Sequence, residues 1–251
     1  MLFEKTIIFD ISSEYGHFRK FNTTSSPLTY PVPTRPAIAG ILGAVLGIER
    51  EQSDGTVPEG VMPVAEVFAK HKVGIAVQLL NPVKKVNIGF NLLDTEKTAS
   101  SFFNIKQRTQ IEYELLKHPS FRVFVGMNED ELFTDLENRL KENQTHFSPY
   151  LGLSQFTAKL QYVDTVALEA LVDDKFVPII TVVNVNQTAH DFDFERSADF
   201  KYISDTMPIE MNTNRVVNDY AEVIIEAMGQ SIKTKTKNAF VAGQYGNIIF
   251  L

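Results

Sequence analysis

The sequence has no cysteine, which removes disulfides and thiolate metal sites and leaves the redox compartment unmarked. It also has no long apolar run. The longest, Ala37 to Ile48, covers a dozen residues, well short of the ~20 needed to span a bilayer, and reads as a buried helix, so no membrane association is expected. Met1-Leu2-Phe3-Glu4-Lys5 leads straight into a strand-like segment without the layout of a signal peptide, and a cytoplasmic location is expected. A Walker loop, a zincin helix and a nucleophile elbow are missing, as are internal repeats and low-complexity tracts. What remains is ordinary globular material: 251 residues, 44% hydrophobic and 22% charged, enough for one large domain or two small ones sharing a surface.

Positive charge is scarce overall, since the chain carries a net −7. Its distribution is uneven. Segment 70–110 holds Lys70, Lys72, Lys84, Lys85, Lys97, Lys106 and Arg108 against Asp94 and Glu96, a balance of +5. Segment 12–40 is +2, from Arg19, Lys20 and Arg35 against Glu14, and segment 229–251 is +3, from Lys233, Lys235 and Lys237. The remainder therefore carries −17. Phosphate binding follows local potential rather than the whole-chain sum, so a basic groove on an acidic body is allowed if these stretches meet.

Period-2 alternation over residues 3–11 predicts a largely buried strand. A polar stretch, 12–34, follows. Thr34 then stands as an N-cap with Pro36 in the first turn of a helix running from Ala37 to Arg50. Gly40, Gly43 and Gly47 lie near one face of that helix and should cost it about 2–3 kcal/mol against alanine. Close packing of a sheet, or of an RNA backbone, would offset them, with sheet packing the reading for Gly43 and Gly47. Strands are predicted at 73–80, 86–90, 121–125 and 156–166, with a helix at 128–143 whose inner face is Leu132, Phe133, Leu136 and Leu140. Residues 81–110 read as a projecting hairpin, or thumb. The order predicts an α+β fold, a ferredoxin-like βαββαβ domain over 1–166, followed by a small, mostly-β C-terminal domain over 167–251. Strands within that second part are predicted at 177–185, 192–203, 220–228 and 245–250.

The stretch His17-Phe18-Arg19-Lys20-Phe21-Asn22-Thr23-Thr24-Ser25-Ser26-Pro27-Leu28-Thr29-Tyr30-Pro31-Val32-Pro33-Thr34-Arg35, running into Ala37-Ile38-Ala39-Gly40-Ile41-Leu42-Gly43, is distinctive. It resembles the N-terminal signature of the Cas-five family of CRISPR-associated RAMP proteins, type I-B branch. Gln107-Arg108-Thr109-Gln110, with Glu114-Leu115-Leu116-Lys117-His118-Pro119, and Tyr150-Leu151-Gly152-Leu153-Ser154-Gln155-Phe156 agree with the same branch. The resemblance implies a non-catalytic Cascade subunit with a RAMP palm and thumb. Such a subunit grips the 5′ handle of the crRNA, caps the filament of a backbone RAMP subunit and touches the large subunit, with target DNA near the PAM as a further candidate partner.

Single-stranded RNA is captured by stacking surfaces, cations and hydroxyl or amide contacts. His17, Arg19, Lys20, Phe21 and Tyr30 offer the first two within one loop, and Thr23, Thr24 and Ser25 the third. The helix start near Arg35 adds an anion site. Lys106, Gln107, Arg108 and Gln110 would line the thumb base. Gly243-Gln244-Tyr245-Gly246 reads first as a hairpin turn. One branch of the family cleaves precursor RNA without metal, through Tyr, Lys and His; Tyr113 and Lys117-His118 are the residues of that type here. Asp191, Asp193 and Glu195 would share one strand face, read as a charge-protected edge. No metal and no cofactor are expected.

Overall fold

The computed structural model describes residues 3–20, 27–49, 56, 59–70, 72–93, 108–128 and 130–251. In chain order the strands are β1 (Lys5–Ser12), β2 (Tyr15–Gly16), β3 (Gly74–Leu79), β4 (Lys85–Leu93), β5 (Arg108–Lys117), β6 (Ser120–Met127), β7 (Lys159–Ile179), β8 (Val183–Asn184), β9 (Thr188–Asp193), β10 (Tyr202–Met211), β11 (Val217–Glu226), β12 (Ile232–Ala242) and β13 (Asn247–Ile248). The helices are α1 (Arg35–Leu46), α2 (Val64–Lys70) and α3 (Glu131–Lys141).

β1 is apolar on both faces because it is a central strand: Ile7, Ile8, Phe9 and Ile11 are fully buried. It runs antiparallel to β6 on one side and to β7 on the other. β3 closes the edge beyond β6, and the seven-stranded sheet has the order β3-β6-β1-β7-β13-β12-β9. The Arg122 guanidinium, on β6, forks onto the carboxylate of Asp10, its partner across β1, at 2.8 and 2.9 Å.

α1 starts where its sequence predicts, with the Thr34 hydroxyl accepting from Ala37 N. It stops at Leu46, four residues early, because Gly47 takes φ +76° and caps it. Its glycines do not face a sheet. A Cβ on Gly43 would meet Val64 of α2 at 2.5 Å, one on Gly47 would meet His146, and one on Gly40 would meet nothing within 4 Å. α3 is capped by Asp130, whose carboxylate accepts from Phe133 N, and buries Phe133, Leu136 and Leu140.

The proposed division at 166 falls inside β7. This 21-residue strand pairs with β1 up to Ala167 and with β12 from Leu168 onward. One core serves both halves: Met207, Ala221, Val223 and Ile225, from β10 and β11, pack in the same cluster as Ile38, Leu42 and Val45 of α1. The strand expected over 192–203 is two strands, since 194–201 leaves the sheet. Phe194 and Phe200 there flank Tyr202 at ring separations of 4.7 and 6.0 Å. β12 was not anticipated. Its Ile232, Thr234 and Thr236 are buried while the intervening Lys233, Lys235 and Lys237 line its outer face.

Candidate nucleic-acid interface

β4 and β5 form a hairpin in full register from Lys85↔Leu116 to Leu93↔Arg108. β2, from the segment just after β1, adds as a third strand through Tyr15↔Lys117 and Gly16↔Leu116. The hairpin is thereby tied to the loop that leaves β1. A second set of contacts makes the tie tight, and Glu114 is its centre. Glu114 N donates to Pro27 O at 3.1 Å, Glu114 O accepts from His17 Nδ1 at 2.9 Å, and Glu114 Oε1 accepts from Thr29 N at 3.1 Å and from Lys85 Nζ at 2.8 Å. Lys85 Nζ also reaches Thr29 O at 2.9 Å. Loop and hairpin base are thus one body.

Within that body Arg19 is exposed and lies in a β-bridge with Thr29, next to Lys20 N→Leu28 O and Tyr30 N→Phe18 O. Lys84 and Lys117 are exposed at the hairpin base, joined by Lys117 N→Lys84 O. Gln110 is exposed on β5 and lies over Gly89 of β4. Arg19, Lys84 and Lys117 therefore lie on the joined loop and hairpin base. Gln110, by contrast, lies seven residues from Lys117 along the unbroken register of β5, about 23 Å away and on the opposite face of the hairpin. Of these four, the expected RNA contacts included Arg19 and Gln110 but not Lys84 or Lys117.

The other expected contacts sit differently. His17 is 3% exposed, wedged against the Tyr113 ring at 5.2 Å, with Nε2 sealed from solvent and unpartnered. Because Glu114 O can only accept, Nδ1 carries the proton and Nε2 is a bare lone pair. A base cannot stack on this ring. Tyr30 is 3% exposed and its hydroxyl donates to Thr206 O at 2.9 Å, joining the loop to β10. Lys20 pairs with Asp205 and lies over the Tyr30 ring, its partner oxygen being closed to solvent; the contact is ionic rather than an aligned hydrogen bond. Arg35 does not wait at a helix N-terminus for an anion: its guanidinium donates to Val73 O at 2.7 Å and to Ile209 O at 3.1 Å. Phe21, Thr23, Thr24, Ser25, Lys106, Gln107 and the side chain of Arg108 lie outside the described residues.

Among the described residues the β12 lysines do not join the loop and the hairpin base in one groove. β12 pairs with β7 beyond Ala167, off the Lys5 end of β1, whereas the loop and hairpin adjoin its Ser12 end. The full length of β1 intervenes, about 26 Å at ~3.3 Å per residue. Lys235 is moreover matched by Asp191 at 2.7 Å. The row Asp191, Asp193 and Glu195 ends the same way: Asp191 is paired, Glu195 lies past the end of β9, and no group of three metal-binding side chains occurs among the described residues. Gly243–Tyr245 is a short 3-10 turn with Gly243 and Gly246 at positive φ, and the Tyr245 hydroxyl donates to Asp164 at 3.0 Å.

Tyr113 packs between His17 and Phe90, while His118 takes φ +48° in the β5–β6 turn and stacks on Tyr15. Four residues lie between Tyr113 and His118, which follows the end of β5.

Burial holds the His17 pKa below its usual 6.5, with Arg19 lowering it further and Glu114 opposing. The folded state therefore resists a proton that the unfolded chain accepts, so stability is complete above about pH 6.5 and is lost as pH falls from there towards the lower folded value. His17→Asn keeps a donor near the Nδ1 position and does not titrate. It should flatten the dependence of the urea midpoint on pH between 7 and 5, measured by circular dichroism.

A sheet-rich α+β body with a long hairpin stapled to the loop after its first strand is the class of protein the coordinates define. The model of the CRISPR-associated protein (Cas_Cas5) family matches residues 6–224, most of the chain, and the chain belongs to that family. Two solved structures share the fold. A chain described as part of a CRISPR RNA-guided surveillance complex aligns at TM-score 0.52 with 12% identity over 91% of each chain. A CRISPR protein from Archaeoglobus fulgidus aligns at TM-score 0.51 with 12% identity over 98% of each. No curated relative matches. Among the described residues no helix is long and apolar enough to cross a membrane.

Proposed function

We propose that this chain is the type I-B Cascade subunit that holds the 5′ handle of the crRNA without cleaving it. In this reading the β3-β6-β1-β7 strands with α1 and α3 are a ferredoxin-like palm, supported by their strand–helix–strand, strand–helix–strand order. The β4–β5 hairpin is the thumb. The chain caps the backbone-subunit filament, touches the large subunit near the PAM-side target DNA, and acts in the cytoplasm. The observation that carries the proposal is the fusion of the loop after β1 with the hairpin base through Glu114, which places Arg19, Lys84 and Lys117 on one body. Binding without cleavage is supported by the placement of Tyr113 within β5 and of His118 in the turn after it, with separate ring partners.

The test is titration of labelled repeat RNA across a salt series. Counterion release predicts a linear fall of log K with log salt, with a slope near −0.7 per phosphate neutralised on a single strand. Arg19→Ala combined with Arg108→Ala should reduce the slope by about 1–2 and weaken binding about tenfold or more. Unaltered affinity and slope in the double variant would refute this assignment of the surface. The same RNA should stay intact in EDTA.

A further inference from the structure

The geometry points to Glu114 as the positioning residue of this interface: an acid placed inside a nucleic-acid surface whose effect is to strengthen binding of single-stranded RNA. The inference rests on the RNA-binding reading above and deepens it.

A carboxylate near phosphates should by charge alone weaken their binding. Glu114 is placed to do the opposite. Its side chain is 22% exposed, and Oε1 alone takes both Thr29 N and Lys85 Nζ. Its backbone N–H and carbonyl hold Pro27 and His17. Four contacts from three separate parts of the chain thus converge on one residue: the loop at 17, the loop at 27–29 and the first residue of β4. Thr29 is fully buried, and its hydroxyl accepts from Phe18 N at 2.8 Å. Seating Thr29 therefore also sets the backbone that carries Arg19, whose bridge partner is Thr29. Without the carboxylate the Thr29 amide would be buried unpaired and Lys85 would lose its counter-charge. The loop would then be held to the hairpin only by the backbone contacts of Glu114 with Pro27 and His17 and by the β2–β5 pairing, and the stretch around Thr29 that sets Arg19 would lose its preorganisation.

Because a single oxygen makes both side-chain contacts, glutamine can keep them and lose only the charge. This separates position from charge. With labelled repeat RNA as the probe, Glu114→Ala is expected to bind about tenfold or more weakly, while Glu114→Gln stays within about threefold of wild type. In hydrogen exchange without RNA, the amides of Thr29 and Tyr30 should lose protection in Glu114→Ala and keep it in Glu114→Gln. Tighter binding by both variants, or no change in either, overturns the inference, as does loosened exchange in Glu114→Ala with RNA affinity intact. If Glu114→Ala does not fold, a disulfide gives the second route, since the chain has no cysteine of its own. Pro27→Cys with Glu114→Cys, at residues joined by a backbone hydrogen bond, should bind RNA when oxidised and poorly when reduced; equal binding in both states counts against the inference. Wild type that binds no RNA at all, with exchange behaving as expected, defeats the functional reading and leaves Glu114 a purely structural staple.

Discussion

Gly152→Ala should be strongly destabilising. Gly152 sits at φ +87°, and an ideal Cβ there would lie 1.7 Å from the carbonyl oxygen of His17. Side-chain rotation cannot relieve a clash between a Cβ and a backbone oxygen. The two segments must separate, breaking His17 N→Leu151 O, which is 3.0 Å long, and unseating Leu151 from full burial. Left-handed backbone adds strain of its own. A loss of about 3–5 kcal/mol is expected, a fall in Tm on the order of 10 °C for a chain of this size. The control is the same substitution at Gly40, which faces open space in the middle of α1 and should gain about 1 kcal/mol as alanine. Calorimetry of the two variants should give shifts of opposite sign. A neutral Gly152→Ala would mean that the 150–156 segment does not rest on the loop after β1.

Arg35→Ala should act on stability before it acts on any ligand. Its guanidinium spans from the entrance of β3, at Val73 O, to β10, at Ile209 O, so it fastens the C-terminal strands to the body that carries α1. Removing it leaves two carbonyls without their charged donor. Hydrogen bonds to charged groups contribute about 1.5–3 kcal/mol each, and with partial compensation by water a loss of about 2–4 kcal/mol is expected. Lysine should rescue little, because one ammonium cannot reproduce the fork. Urea denaturation measures the effect. RNA affinity per folded molecule should hardly change, whereas a residue in direct phosphate contact would show the reverse pattern.

Local chemistry made several elements legible. Thr34 and Pro36 mark the start of α1, the pattern over 3–11 marks a largely buried strand, and Leu132, Phe133, Leu136 and Leu140 mark the inner face of α3. The thumb was expected over 81–110 with a strand edge at 86–90, whereas the hairpin pairs β4 with a β5 that runs on to Lys117 and was not anticipated. Residue roles at the interface were much less legible, for a physical reason. His17 and Tyr30 are polar aromatics in a polar loop, and their partners lie 97 and 176 residues away. Such a residue looks like a ligand contact until its distant acceptor is seen. Arg35 was misassigned in the same way, its acceptors being 38 and 174 residues distant. β12 is different, because its signal was present. Lys233, Lys235 and Lys237 alternate with Ile232, Thr234 and Thr236, and weighing them only as charge hid a half-buried strand. Glu114 carried no signal by itself; an acid in a basic region reads as an interruption until its four contacts are placed.

The central claim is that RNA lies across the joined loop and hairpin. Ultraviolet crosslinking of repeat RNA to the intact chain, followed by peptide mapping, tests it directly. Crosslinks should fall in peptides from 13–35 and 84–117. Crosslinks confined to the β12 lysines at the far end of β1, or none above a protein lacking basic surface, would contradict it.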